Sequence, residues 1–211
     1  MKDIVIIGAG GIGREVAWII EEINEVNPTW NIIGFVDDNS EMWGKELNGY
    51  RVLGGLDILD KLESKPEVIV AIANCGVKKD IVAKLNNKFD FATIIHPSVM
   101  ISKYIEIRQG TIIYPGVILT VNTKIGNHVV ISGNCGIGHD TVIGDFSSVL
   151  WGSCFSGFDV VGEECFVGVG AKFIQGIKVG SGRKVEAGTV VIEEINNAAA
   201  KEIFEHVFAE N

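Results

Sequence analysis

Every sixth residue from Ile101 to Val191 is bulky and apolar, without a gap. The run is Ile101, Ile107, Ile113, Leu119, Ile125, Ile131, Ile137, Ile143, Val149, Phe155, Val161, Val167, Phe173, Val179, Val185 and Val191. Apolar residues make up 47% of the chain, so such a run would arise by chance with a probability on the order of 10⁻⁵. The next position is often glycine, as at Gly126, Gly138, Gly144, Gly162, Gly168 and Gly180. The position two before is mostly small or β-branched, as at Thr111, Thr123, Cys135, Thr141, Ser147, Ser153, Cys165 and Ala171.

A hexapeptide period of this kind marks a parallel β-helix. Each hexad supplies one short strand and one corner. The large residue fills the interior, the glycine is expected to permit the sharp turn, and the small residue fits where the corner narrows. Three hexads make one coil, and stacked coils pair as parallel strands about 4.8 Å apart. Residues eighteen apart then form a column, for instance Ile101, Leu119, Ile137, Phe155, Phe173 and Val191. An ordinary β-sandwich would instead show alternation at period two and irregularly spaced turns. A solenoid must cap its open ends. The stretch 197–211, with Ile203, Phe204, Val207 and Phe208 at helical spacing, predicts a short C-terminal helix.

The 211 residues carry 27 acidic against 18 basic side chains, and no Lys/Arg-rich block occurs. Nucleic acid and anionic membrane are poor partners for such a chain. The apolar run Ile4–Ile7 is too short for a signal peptide, and no run reaches membrane-spanning length. The four cysteines are scattered and fit neither a disulfide framework nor a zinc pattern. A soluble, cytoplasmic protein without metal is expected.

Ahead of the repeat, Ile4–Ile7 reads as a buried strand followed by Gly8-Ala9-Gly10-Gly11-Ile12-Gly13 and an apolar helix through Val16, Ala17, Ile19, Ile20 and Ile23. A second strand, 32–36, ends at Asp37-Asp38, and 68–73 supplies a third. This is a G-x-G-x-x-G loop in its proper setting, with an acid after the next strand. Its glycines let a phosphate approach the backbone, and the helix N-terminus stabilises the charge. Only about 95 residues precede the repeat, room for one mononucleotide half where a dinucleotide fold needs two. A nicotinamide dehydrogenase therefore fits poorly and NAD is not expected. The nucleotide end of a nucleotide-sugar fits better, and a purely structural glycine loop is the bland alternative. The expected organisation is a Rossmann-like domain over 1–95, a β-helix over 96–195 and a helix over 196–211.

These motifs, with Gly34-Phe35-Val36-Asp37-Asp38, Ile95-His96-Pro97-Ser98 and Gly138-His139-Asp140, resemble the sugar O-acyl/N-acetyltransferase family of the NeuD/PglD type over roughly residues 1–192. The resemblance implies a left-handed β-helix, a homotrimer, and acetyl-CoA lying between neighbouring β-helices. It implies direct acetyl transfer to a sugar, either the nitrogen of a nucleotide-linked amino sugar or, as in sialic acid O-acetyltransferases, an oxygen.

Acetyl transfer needs a base, an oxyanion donor and two substrates held side by side. His139 is the natural base, since imidazole titrates near neutrality. The resemblance makes Asp140 its orienting acid. One coil above His139 is Gly157, and the resemblance places a backbone donor for the thioester carbonyl there. It maps further coenzyme contacts to Ser148, Val169 and Ala187. It maps the nucleotide-sugar pocket to Gly10, Gly11, Ile12, Gly13, Arg14, Asp37, Asp38, Gly54 and Ser132. Ile12 stands where amino-sugar enzymes of the family often carry histidine, and Ser132 where asparagine is common. Arg14 is a partial substitute for the lost polar contact. Trp151 replaces a proline and either stacks on a ligand or packs.

His96 reads as structural, and His128 and His206 match nothing. A three-histidine metal site is the rival enzyme class, but His128 and His139 are not in one column and no third partner is evident. A non-catalytic, nucleotide-binding trimeric scaffold is the alternative of another class.

Overall fold

A computed structural model describes residues 1–85 and 88–195. The C-terminal helix expected over 196–211, with His206, lies outside the described residues.

The chain opens with β1 (Lys2–Ile7), whose last four residues are buried on both faces, as a central parallel strand requires. Helix α1 (Gly11–Val26) follows and buries Val16, Ala17, Ile19 and Ile20. Then come β2 (Trp30–Val36), β3 (Glu46–Leu47), β4 (Tyr50–Gly54), β5 (Glu67–Val70) and α2 (Cys75–Leu85). The sheet order is β3-β4-β2-β1-β5, parallel except for the β3–β4 pair. It has one mononucleotide-type half and no second, as the length required.

From β6 (Ile94–Ile95) onward the chain winds into a left-handed parallel β-helix of two-residue strands. Its three faces each repeat at eighteen residues. The docking face stacks Ile94–Ile95, Ile112–Ile113, Val130–Ile131, Ser148–Val149, Phe166–Val167 and Lys184–Val185. The histidine face stacks Ile118–Leu119, Gly136–Ile137, Cys154–Phe155, Lys172–Phe173 and Val190–Val191. The third face runs from Glu106–Ile107 to Lys178–Val179. The hexad residues from Ile113 to Val191 are all buried, and Phe155 stacks on Phe173 with ring centroids 4.2 Å apart. Cys135 and Cys165 pack as small interior corner residues and are free thiols.

Two expectations need correction. Ile101 does not start the interior column: it is 46% exposed and belongs to no strand, so the column begins at Leu119. The glycines after the apolar residue do not make the turns either. Positive φ recurs at every sixth residue from Gly110 to Gly188, two positions later, and includes Asn122, His128, Asn134, Asp140, Phe146, Phe158 and Glu164. Glycine at positions such as Gly138 answers a different demand. A β-carbon there would lie 2.4 Å from the Ser156 carbonyl oxygen in the coil above. Close stacking of coils, not turn conformation, selects it.

The N-terminal domain packs on the docking face. Ile112, Tyr114 and Val130 share one apolar cluster with the buried face of α1. The Tyr114 hydroxyl meets Glu15 at 2.9 Å. At the start of α2, the Ser148 hydroxyl donates to Ala73 O at 2.8 Å, and buried Lys78 donates from Nζ to Ser148 Oγ at 3.1 Å and to Ser147 O at 3.3 Å. Burial pushes the Lys78 ammonium down to about 8. No helix among the described residues is long and apolar enough to cross a membrane.

Candidate active site

His139 stands two positions after interior Ile137, at the corner where the histidine face turns into the third face. Its side chain is 42% exposed, so it points out of the tube. Nδ1 meets Asp140 Oδ2 at 2.8 Å. Asp140 adopts φ +57°, the corner conformation, which swings its carboxylate back beside the ring of its own neighbour. The other carboxylate oxygen accepts from Asn122 Nδ2 at 2.9 Å, one coil below. Asn122 first, and His139 second, hold the Asp140 carboxyl below the usual carboxylate range. Nδ1 is thereby committed to a carboxylate, and Nε2 is the nitrogen left for chemistry.

Nε2 faces Gly157. A β-carbon on Gly157 would lie 2.8 Å from Nε2, and Gly157 has φ +138°. Both space and backbone conformation therefore demand glycine. Phe158 closes the other side, its ring edge-on to the imidazole at 4.9 Å, while its N–H donates to His139 O at 2.9 Å. The Gly157 amide donates to Asp159 Oδ2 at 3.2 Å. The bond lies within the N–H···O range, so the Gly157 amide is held by that carboxylate in this structure.

Val169 and Ala187 are exposed at the opposite corner of the histidine face, in one column with Trp151 and Gly133. Ser148 is corrected: it is fully buried and its hydroxyl is taken by Ala73 and Lys78, so no coenzyme can touch it. Ser132 is buried beside Gly133, with its N–H on Val149 O, and is not brought to His139. Trp151 packs its ring over Gly133 and edge-on to Tyr114, 5.9 Å between centroids, while 41% exposed.

The glycine loop, expected to hold the nucleotide-sugar, lies between β1 and α1. Gly13 lets α1 settle on β1, since a β-carbon there would lie 1.8 Å from Gly8 O. Gly10 caps α1 and Gly11 begins it, both exposed. Ile12 packs against the domain core. Asp37 uses both oxygens on the backbone, accepting from Ala9 N at 2.8 Å and Asn39 N at 2.9 Å. It braces the loop, and the Asp37 N–H donates to Gly54 O. Asp38 is exposed, its Oδ1 accepting from Leu56 N at 3.3 Å. Both acids line a cleft of ≈ 210 Å³ with Gly8, Leu56 and Ile72. Arg14 is exposed, with Nε on Gly10 O at 3.4 Å.

His96 and His128 are packing groups. His96 Nδ1 caps the turn at Ser98, 2.8 Å from its hydroxyl. His128 is buried, stacked on Phe146 with edge-on Phe91, and burial pushes its imidazole down to about 4. Sequence reasoning missed Asn122, Phe158 and Asp159. Eighteen-residue arithmetic applied downward from Asp140 would have found Asn122.

Residues 3–85 match the family model of the PglD N-terminal domain. The chain is 31% identical over 174 residues to GDP-perosamine N-acetyltransferase of Escherichia coli O157:H7, covering 82% of this chain and 78% of that one. Among solved structures it resembles PerB from Caulobacter crescentus in complex with CoA and GDP-perosamine (TM-score 0.84, 25% identity, 94% and 92% of the two chains). It also resembles the acetyltransferase domain of PglB from Neisseria gonorrhoeae in complex with acetyl coenzyme A (TM-score 0.82, 26% identity, 92% of each chain).

Proposed function

The chain belongs to the family of sugar N-acetyltransferases that join a PglD-type N-terminal domain to a hexapeptide β-helix, and from that premise we propose how its own residues carry the reaction. The protein is an acetyl-CoA-dependent acetyltransferase whose acceptor is the amino group of a nucleotide-linked sugar. The relative with the broad match acts on GDP-perosamine, which makes a GDP-linked amino sugar the first acceptor to test.

His139 Nε2 takes the proton as the amine nitrogen bonds to the thioester carbonyl carbon. Asp140 stabilises the imidazolium that forms, and Asn122 fixes Asp140. The carbonyl oxygen gains negative charge and shares the Gly157 N–H. The carbon–sulfur bond then breaks, and the thiolate leaves with the proton that the imidazolium returns. The observation that carries this reading is the exposed imidazole of His139, held at Nδ1 by Asp140 and turning Nε2 toward the bare Cα of Gly157 one coil above.

The nucleotide pocket lies on the side of the chain that packs on the docking face, whereas His139 is across the histidine face. A homotrimer reconciles the two, with the glycine loop of one subunit presenting the sugar to His139 of the next. Val169 and Ala187 then border the coenzyme in the same seam. The apolar exposure around the histidine face supports this assembly: Ile118 is 66% exposed, Val190 58% and Val169 50%. The first experiment is turnover of acetyl-CoA with a panel of GDP- and UDP-linked amino sugars, alongside size-exclusion with light scattering. An acetylated amine and a trimer are expected. Transfer to sugar hydroxyls alone would move the acceptor to oxygen, and a monomer that turns over at full rate would end the shared-site proposal.

A further inference from the structure

The interior corner positions of the tube are filled mostly by small residues, and several hydroxyls among them bridge to the coil above, although Thr123 donates to Thr120 O in its own coil and Thr141 Oγ1 has no partner among the described residues. Thr111 accepts from Val129 N at 3.2 Å and donates to Gly126 O at 2.8 Å. Ser147 accepts from Cys165 N at 3.0 Å and donates to Gly162 O at 2.9 Å. Asp159 occupies the same kind of position, twelve residues after Ser147 in the hexad count, and is fully buried. Its Oδ1 does what the hydroxyls do, accepting from Ile177 N at 2.8 Å, eighteen residues on. Its Oδ2 does something no hydroxyl there does: it reaches back two residues to the Gly157 amide. A serine or threonine would satisfy the coil above without burying a carboxylate, so stacking alone does not call for an acid. Burial raises the Asp159 carboxyl, and backbone N–H donors oppose that rise.

We infer that Asp159 is a positioning residue for acetyl transfer: its carboxylate is anchored on the coil above and clamps the Gly157 peptide, fixing the amide and the bare Cα that face His139. The two bonds are unequal in the way this role needs. The short one to Ile177 N holds the carboxylate still. The longer one to Gly157 N orients the amide. Asp159 touches neither substrate and acts only through Gly157. The inference rests on the reading of Gly157 as the oxyanion donor.

Asp159→Thr separates the clamp from the scaffold. Threonine keeps the bond to Ile177, as Thr111 keeps that to Val129, but is too short to reach Gly157 N. The expected result is a kcat lowered by about tenfold or more, with KM for acetyl-CoA and the thermal midpoint unchanged. Amide hydrogen exchange reads the clamp directly: Gly157 exchange accelerates in the variant, while Phe158, held by His139 O, keeps its protection. A kcat within twofold of the parent, or higher, overturns the inference. So does a loss of activity that follows the thermal midpoint. If Asp159→Thr does not fold, Asp159→Ser and the unaltered protein carry the test, since a Gly157 amide unprotected in the parent also overturns it. Failure of the parent to acetylate any amino sugar would count against the proposed function instead, and the exchange measurement would still report on the clamp.

Discussion

His139 Nε2 lies 2.8 Å from the point at which a β-carbon on Gly157 would stand. Eighteen residues separate the two in sequence and one coil separates them in space. The base and the proposed oxyanion donor are thus set by the same repeat that builds the core. Gly157→Ala must push the imidazole away or distort a backbone at φ +138°. We expect kcat to fall by about 10²-fold, the scale of losing one preorganised donor, with the assembly intact. Steady-state kinetics beside light scattering checks this; activity within a few-fold of the parent would show that the slot is not where the thioester lies.

The pair Asp140 and Asn122 predicts a graded series. Asp140→Asn removes the charge that stabilises the imidazolium and should lower kcat by about tenfold or more, leaving both KM values near the parent. Asn122→Ala removes the first cause of the lowered Asp140 carboxyl, which should rise toward its ordinary value. With the carboxylate free to turn away from Nδ1, kcat should fall by about threefold or more while both KM values hold. A kcat equal to the parent's would detach Asn122 from the site.

Gly13→Ala tests the other half of the molecule. The added carbon would meet Gly8 O at 1.8 Å, so α1 must lift from the sheet. A loss of about 1–3 kcal/mol in unfolding free energy is expected, as for overpacked cores. The KM for the nucleotide-sugar should rise while that for acetyl-CoA holds. Equal effects on both substrates would place the glycine loop outside the acceptor pocket.

Lys78 gives a pH signature of the domain junction. Its folded-state value is lowered to about 8 by burial, against 10.5 in its ordinary state. Between these values the unfolded chain binds the proton and the folded chain does not. Stability therefore rises with pH through this window, by at most about 1.4 kcal/mol per pH unit from this group. Below about pH 8 the cost of burying the charge is carried in full. Denaturant unfolding of the parent and of Lys78→Met at pH 8 and pH 10 isolates the effect. The rise should be smaller in the variant; identical pH dependence would contradict the assignment.

Much of this was legible in the residues. The sixfold period gave the tube, because interior volume and coil stacking act on every hexad alike. Eighteen-residue arithmetic then set Gly157 above His139 before any coordinates. Three things were not legible for physical reasons. The turn conformation falls on residues as different as Asn122, His128, Phe146 and Glu164, so no residue type announces it. Ser148 is at an ordinary strand position, and only the docking of the N-terminal domain shows that it is buried. Asp159 interrupts a column of small residues, and its partners are backbone amides, which leave no trace in side-chain patterns.

The most direct measurement is the rate of N-acetylation of a GDP-linked amino sugar from acetyl-CoA, followed by mass spectrometry, for the parent and for His139→Ala. The parent should yield the singly acetylated amine. The variant should stay folded and retain acetyl-CoA binding while turning over about 10²-fold or more slowly. A variant that matches the parent, or a parent that forms no acetylated amine from any nucleotide-sugar in the panel, would contradict the account.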